Sequence, residues 1–178
     1  ILAKILENPK LSHAEGRAAQ LPREGLLKLD LVFSSLYRRI GDDMKSVAQE
    51  ASRTKQWPIK QDLLKMLEYY RSTGDFRVIE KPKDLQLKNE DQANVVLHLE
   101  GGDILTEPDA IEELYERGVR SIGPVYSHDN QIGGGASGDK KRGLTPLGRE
   151  LIDKMMEKGM IIDTSHANRK TAQEILER

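Results

Sequence analysis

Residues 95–102 read Val-Val-Leu-His-Leu-Glu-Gly-Gly. In the run Val95–Leu99, Val95, Val96, Leu97 and Leu99 are apolar or favour extended backbone, so it predicts a strand. That strand closes on a carboxylate, Glu100, and two glycines that leave room for a substrate or a metal beside the backbone. Working outward, Pro108–Arg117 has helical patterning, with Pro108 in the first turn and Gly118 suited to the C-terminal cap. Val119–Val125 is a second strand. Residues 133–143 are rich in glycine and read as a loose loop. Thr145 caps a helix with Pro146 at its first position, running to about Lys158 and Gly159. Met160–Asp163 is a third strand, and Ala167–Arg178 a further helix. Strand and helix therefore alternate from residue 95 onward, which predicts parallel strands with helices outside. Alternation alone leaves a barrel and an open sheet both available.

Upstream, the pattern is weaker. Leu27–Tyr37 has partial alternation and its middle reads as a strand. Residues 42–56 are charged and compatible with a helix, and Pro58 closes that stretch. Residues 60–73 carry Leu63, Leu64, Met66, Leu67 and Tyr70 at helical spacing before Gly74. Phe76–Ile79 is a short strand, and 81–90 a turn or short helix.

Composition narrows the function classes. The 28 basic and 29 acidic residues leave a formal charge of −1, which argues against a general nucleic-acid or anionic-membrane binder. No apolar run reaches the ~18 residues of a membrane span. Cysteine is absent, which removes disulfides and thiolate metal sites and fits a cytoplasmic location. The chain begins Ile1-Leu2-Ala3 and reaches Arg178 within a helical pattern, so a piece of a longer protein is expected.

Chemistry concentrates at three strand ends: Glu100, His128, and Asp163-Thr164-Ser165-His166. In parallel α/β folds the C-terminal ends of strands face the active site. Carboxylate and imidazole are standard ligands for zinc and similar divalent metals. Each residue also has a plainer reading. Glu100 could be an exposed strand terminus, His166 a helix cap and His128 a surface histidine. His98 lies two residues before Glu100 on the same strand face; a ligand pair is one reading, and a satisfied core histidine is the preferred one. His13 reads as surface. Gly133 and Gly138 have phosphate-loop separation, but Asp139 stands where the lysine is needed and would repel phosphate, which argues against such a loop. A serine-nucleophile elbow is also absent.

Several separate pieces of the sequence carry a likeness. They are Glu100-Gly101-Gly102; Arg117-Gly118-Val119-Arg120; His128 with Asn130; Gly143-Leu144-Thr145; and Gly159-Met160-Ile161-Ile162-Asp163-Thr164-Ser165-His166. Together with Gln20–Gly25 and Asp30–Tyr37, the chain resembles the membrane (renal) dipeptidase family, metallopeptidases of the amidohydrolase kind. The resemblance implies a partial (β/α)8 TIM-type barrel as one domain over 1–178, with central strands and helices present and the first and last parts outside these residues. It implies a site for two zinc ions in which Glu100 bridges the metals and His166 binds one. His128 would bind substrate and steady the tetrahedral intermediate, with Asn130 also at the substrate. The implied reaction is hydrolysis of a dipeptide by a metal-held hydroxide, and the family's tendency is to form homodimers. The family's His-x-Asp metal pair has no counterpart in this chain, whose nearest string is His13-Ala14-Glu15. A catalytically inactive barrel remnant, serving as a binding or assembly module, is the alternative.

Overall fold

The computed structural model describes residues 30–36, 58–87 and 91–178, with backbone alone at 58–62. The charged stretch at 42–56, His13 and the 20–25 segment lie outside the described residues. The chain divides into two compact units, Ile1–Val95 and Val96–Arg178.

The first unit contains strand β1 (Val32–Leu36), helix α1 (Pro58–Ser72), strand β2 (Phe76–Val78) and a 3-10 turn at Pro82–Gln86. Pro58 opens α1 rather than only closing what precedes it, because a first-turn residue has no intrahelical use for an N–H. Leu63, Met66, Leu67 and Tyr70 are the buried face of α1, as their spacing predicts. Tyr70 packs on Phe76 with ring centroids 4.9 Å apart. The 3-10 turn is held by Asp84, whose Oδ2 accepts from the backbone N–H groups of Glu80 and Lys81 at 3.0 and 2.8 Å. Strand β2 runs parallel to the start of β3 (Ala93–Glu100), with Phe76 opposite Ala93 and Val78 opposite Val95.

The second unit carries the rest of β3, α2 (Asp109–Glu116), β4 (Val119–Gly123), α3 (Pro146–Glu157), β5 (Ile161–Ile162) and α4 (Arg169–Leu176). Strands β3, β4 and β5 are parallel neighbours in that order. The order strand–helix–strand–helix–strand–helix is the one expected from sequence. β4 stops at Gly123, two residues short of the expected Val125, because Pro124 has no N–H for the ladder. The core between strands and helices is apolar: Leu97, Ile111, Val119, Ile122, Leu151, Ile152 and Met155 are fully buried.

The helix boundaries have local causes. Thr145 Oγ1 accepts from Gly148 N at 2.9 Å and Pro146 follows, as expected. Gly118 and Gly159, at φ 94° and 65°, end α2 and α3 in the left-handed conformation. The last helix differs from the sequence expectation. Its cap is Asn168, whose side chain accepts from Thr171 N, so neither Ala167 nor His166 begins it.

Candidate metal centre

All groups of the candidate site that the structure brings together lie in the second unit, at the C-terminal ends of β3, β4 and β5. Glu100 is the last residue of β3. The two glycines after it have separate roles. Gly101 has φ 94°, where a side chain is strained. A Cβ on Gly102 would lie 2.7 Å from Pro124 O and 2.5 Å from Ile132 Cδ1. The chain thus bends sharply behind Glu100 while Gly101 and Gly102 still donate to Gly123 O and Pro124 O, both at 3.2 Å.

His166 arrives from β5 through a short turn. Asp163 N donates to Ile122 O at 2.9 Å, prolonging the β4–β5 pairing by one residue. Asp163 Oδ1 then accepts from both the backbone N–H, at 2.9 Å, and the hydroxyl of Ser165. This turn aims the imidazole at β3. His166 Nε2 stands 3.2 Å from Glu100 Oε1, and both side chains are part-exposed, at 34% and 26%. Residues 66 positions apart are therefore in direct contact.

Below this pair lies His98, only 6% exposed. Its Nδ1 pairs with Ser121 Oγ at 2.8 Å and its Nε2 faces Asp163 Oδ2 at 3.6 Å. The core-histidine reading is the one the structure supports. Burial lowers the His98 pKa; the Asp163 and Glu100 carboxylates oppose this without overcoming it. Burial pushes the Asp163 carboxyl up, but the two Ser165 hydrogen bonds and the nearby His98 and His166 outweigh it, so its pKa is lowered.

His128 is exposed on the loop after β4. Among the described residues, no hydrogen bond or ion pair joins its imidazole to Glu100 or His166. The side chain that the β4 loop does bring to His166 is Tyr126, with ring centroids 4.3 Å apart and planes at 47°. Sequence reading missed Tyr126; its place at the end of the β4 segment, level with Glu100 and His166, was the available signal. Asn130 is committed to its own loop and to the Asp103 side chain after β3. Its Nδ2 donates to Pro124 O at 2.9 Å, and its Oδ1 accepts from Ile132 N and Gly133 N at 2.9 and 3.2 Å.

The glycine-rich segment, expected to be loose, is pinned. Asp129 Oδ1 and Oδ2 accept from Gly135 N and Asp139 N. Gly134 N donates to Thr171 Oγ1, and Leu144 N to Glu174 Oε2. Gly135 and Ala167 form an antiparallel bridge, and Ala136 N donates to His166 O at 2.8 Å. The loop that carries His128 is thereby fastened to the turn that carries His166.

Glu100 and His166 suit a divalent cation: one carboxylate and one imidazole nitrogen converge from two strand ends with partial access to solvent. They are two ligands of a set that usually has three or four. Among the described residues, no group of three or more potential ligands converges.

A family model described as Membrane dipeptidase (Peptidase family M19) matches residues 29–178. The chain belongs to this family. A relative in Acinetobacter calcoaceticus, named only as an uncharacterized protein in the PQQ-III 3′ region, is 34% identical over 134 residues, 68% of this chain and 42% of that protein. An uncharacterized dipeptidase of Schizosaccharomyces pombe is 32% identical over 76 residues, 42% of this chain and 19% of that protein. Among solved structures, a metallopeptidase from Rhodobacter sphaeroides, crystallised with a phosphinate mimic of the dipeptide L-Ala-D-Ala, superposes with a TM-score of 0.70 at 21% identity. That superposition covers 99% of this chain and 59% of the other. The chain thus spans less than two thirds of the length of these relatives, and the fold it shares with the solved structure is α/β with a parallel sheet.

Proposed function

We propose that this chain is the central part of a (β/α)8 barrel that hydrolyses dipeptides with the help of zinc. The observation that carries the reading is the contact between Glu100 and His166, made by two strand ends that are not neighbours in the sheet. Family membership supports the reaction class and the dependence on a divalent metal. Glu100, with two carboxylate oxygens, would reach two zinc ions, and His166 Nε2 would bind one of them. When bound, the ions supply the Lewis acidity that activates water and polarises the scissile carbonyl. In the net reaction water adds across the peptide C–N bond: the carbonyl carbon gains a hydroxyl and the departing amine gains a proton.

The chain's own residues hold and orient. Tyr126 packs against the His166 ring and limits its rotation. His128 would meet the substrate from the β4 loop, which is docked beside His166 through Gly135 and Ala136. Asn130 would act on the substrate by shaping that loop, since its amide bonds tie the loop together and reach Asp103 beyond β3. The test is hydrolysis of unblocked dipeptides by zinc-loaded protein carrying this chain, measured by amino-acid release. Glu100→Gln and His166→Ala are each expected to lower kcat/KM at least ~100-fold. Full activity in Glu100→Gln would remove the bridging role.

A further inference from the structure

β3 and β5 do not pair with each other; β4 lies between them. Backbone hydrogen bonds therefore set the separation of Glu100 and His166 only indirectly, across an intervening strand. One side chain spans that gap. His98, two residues before Glu100, is held by Ser121 of β4 and looks beyond it to Asp163 at the end of β5. A Cβ built on Gly123, the β4 residue paired with Glu100, would touch His98 Cε1 at 3.8 Å and Asp163 O at 3.7 Å, so ring and turn meet beside this glycine.

We propose that His98 is the positioning residue of the site, tying β3, β4 and β5 together so that Glu100 and His166 meet at the separation a metal needs. The inference rests on the metallopeptidase reading above. The contacts form a closed circuit. Ser121 Oγ binds His98 Nδ1; His98 Nε2 faces one oxygen of Asp163; the other Asp163 oxygen accepts the Ser165 N–H and O–H; and the turn so formed delivers His166 to Glu100, on the same strand as His98. A neutral imidazole serves both neighbours when Nδ1 accepts from the Ser121 hydroxyl and Nε2–H points to Asp163. At 3.6 Å that second contact is an electrostatic one and not a hydrogen bond. An aliphatic side chain would fill this buried layer without desolvating an imidazole and a hydroxyl, but it would have no direction. Ser121, 1% exposed, has the same character: its hydroxyl serves His98.

The experiment compares zinc affinity, by chelator competition, in the protein carrying this chain, as wild type and as His98→Leu, Ser121→Ala and His98→Gln, with thermal melting recorded for each. His98→Leu is expected to keep the fold and bind zinc at least ~10-fold more weakly, the usual cost of losing an outer support of metal ligands. His98→Gln, which restores a donor toward Asp163, is expected to recover part of that loss. A purely structural role would lower the melting temperature and leave the zinc affinity of the folded protein unchanged; affinity within about twofold of wild type in His98→Leu overturns the proposal. Should His98→Leu fail to fold, Ser121→Ala decides by the same twofold criterion. Should the wild type bind no zinc, the metallopeptidase reading fails by itself. Crystal structures then decide: a shift of the Asp163 carboxylate and of the Glu100–His166 separation in the folded variant supports the positioning role, and unchanged positions overturn it.

Discussion

Replacing Asn168 should weaken the hold of the helix that follows His166 on the glycine-rich segment. The side chain is 3% exposed and makes three hydrogen bonds. Its Oδ1 accepts from Thr171 N at 2.8 Å, capping α4. Its Nδ2 donates to Asp139 O and Arg142 O, both at 2.8 Å. Removing an N-cap costs about 1 kcal/mol, and each lost hydrogen bond about 1 kcal/mol net, so Asn168→Ala should destabilise by about 3 kcal/mol. Arg142 O keeps a long contact from Thr171 Oγ1 at 3.4 Å, which trims the loss slightly. Two further variants separate the contributions. Asn168→Ser retains a cap and loses the two donations, for about 2 kcal/mol. Asn168→Asp also retains a cap but turns a carboxylate oxygen toward two carbonyl oxygens in a buried site, so it should be at least as damaging as alanine. Urea denaturation is the assay, with the midpoint shifting at constant slope. Wild-type stability in Asn168→Asp, or a loss below ~0.5 kcal/mol in Asn168→Ala, would refute the reasoning.

Other perturbations have equally definite outcomes. In Gly135→Ala the new Cβ would lie 2.5 Å from His128 O and 2.6 Å from Ser127 O, both backbone atoms, so a loss of about 2–3 kcal/mol is expected in thermal or urea unfolding. Asp103 is half-buried and its desolvation raises its pKa over the hydrogen bonds that oppose it. Its folded-state pKa thus lies above the unfolded one, and the stability it allows at low pH is lost as pH rises from the unfolded value of about 3.9 through the folded one. Asp103→Asn should accordingly be more stable than wild type at pH 7, with the advantage fading toward pH 4, as read from urea midpoints across that range. Tyr126→Ala removes the ring beside His166; the imidazole proton resonances of His166 should shift, while those of exposed His128 should hardly move.

Much of the second unit was legible because its signals are local. The apolar strand ends, Thr145-Pro146 at a helix start, and Gly118 and Gly159 at helix ends act within a few residues of themselves. The Glu100–His166 pairing was reachable because two strand ends in a parallel sheet share one edge. What stayed hidden is non-local. The glycine-rich segment reads as loose, yet Thr171, 37 residues after Gly134, holds it. Asn168 has the chemistry of a cap, but its donations to Asp139 and Arg142 depend on how that segment folds back. His98 faces Ser121 because the β3–β4 register shifts between Leu97 and His98, and no sequence pattern announces such a shift. The contact of Tyr126 with His166 likewise exists only once β4 stands beside β5.

The most direct test of the central claim is anomalous diffraction at the zinc edge from crystals of the protein grown with zinc. The account predicts a peak about 2.0–2.2 Å from a Glu100 carboxylate oxygen and from His166 Nε2. A well-ordered Glu100 and His166 still in contact with each other, with no anomalous density between them, would contradict it.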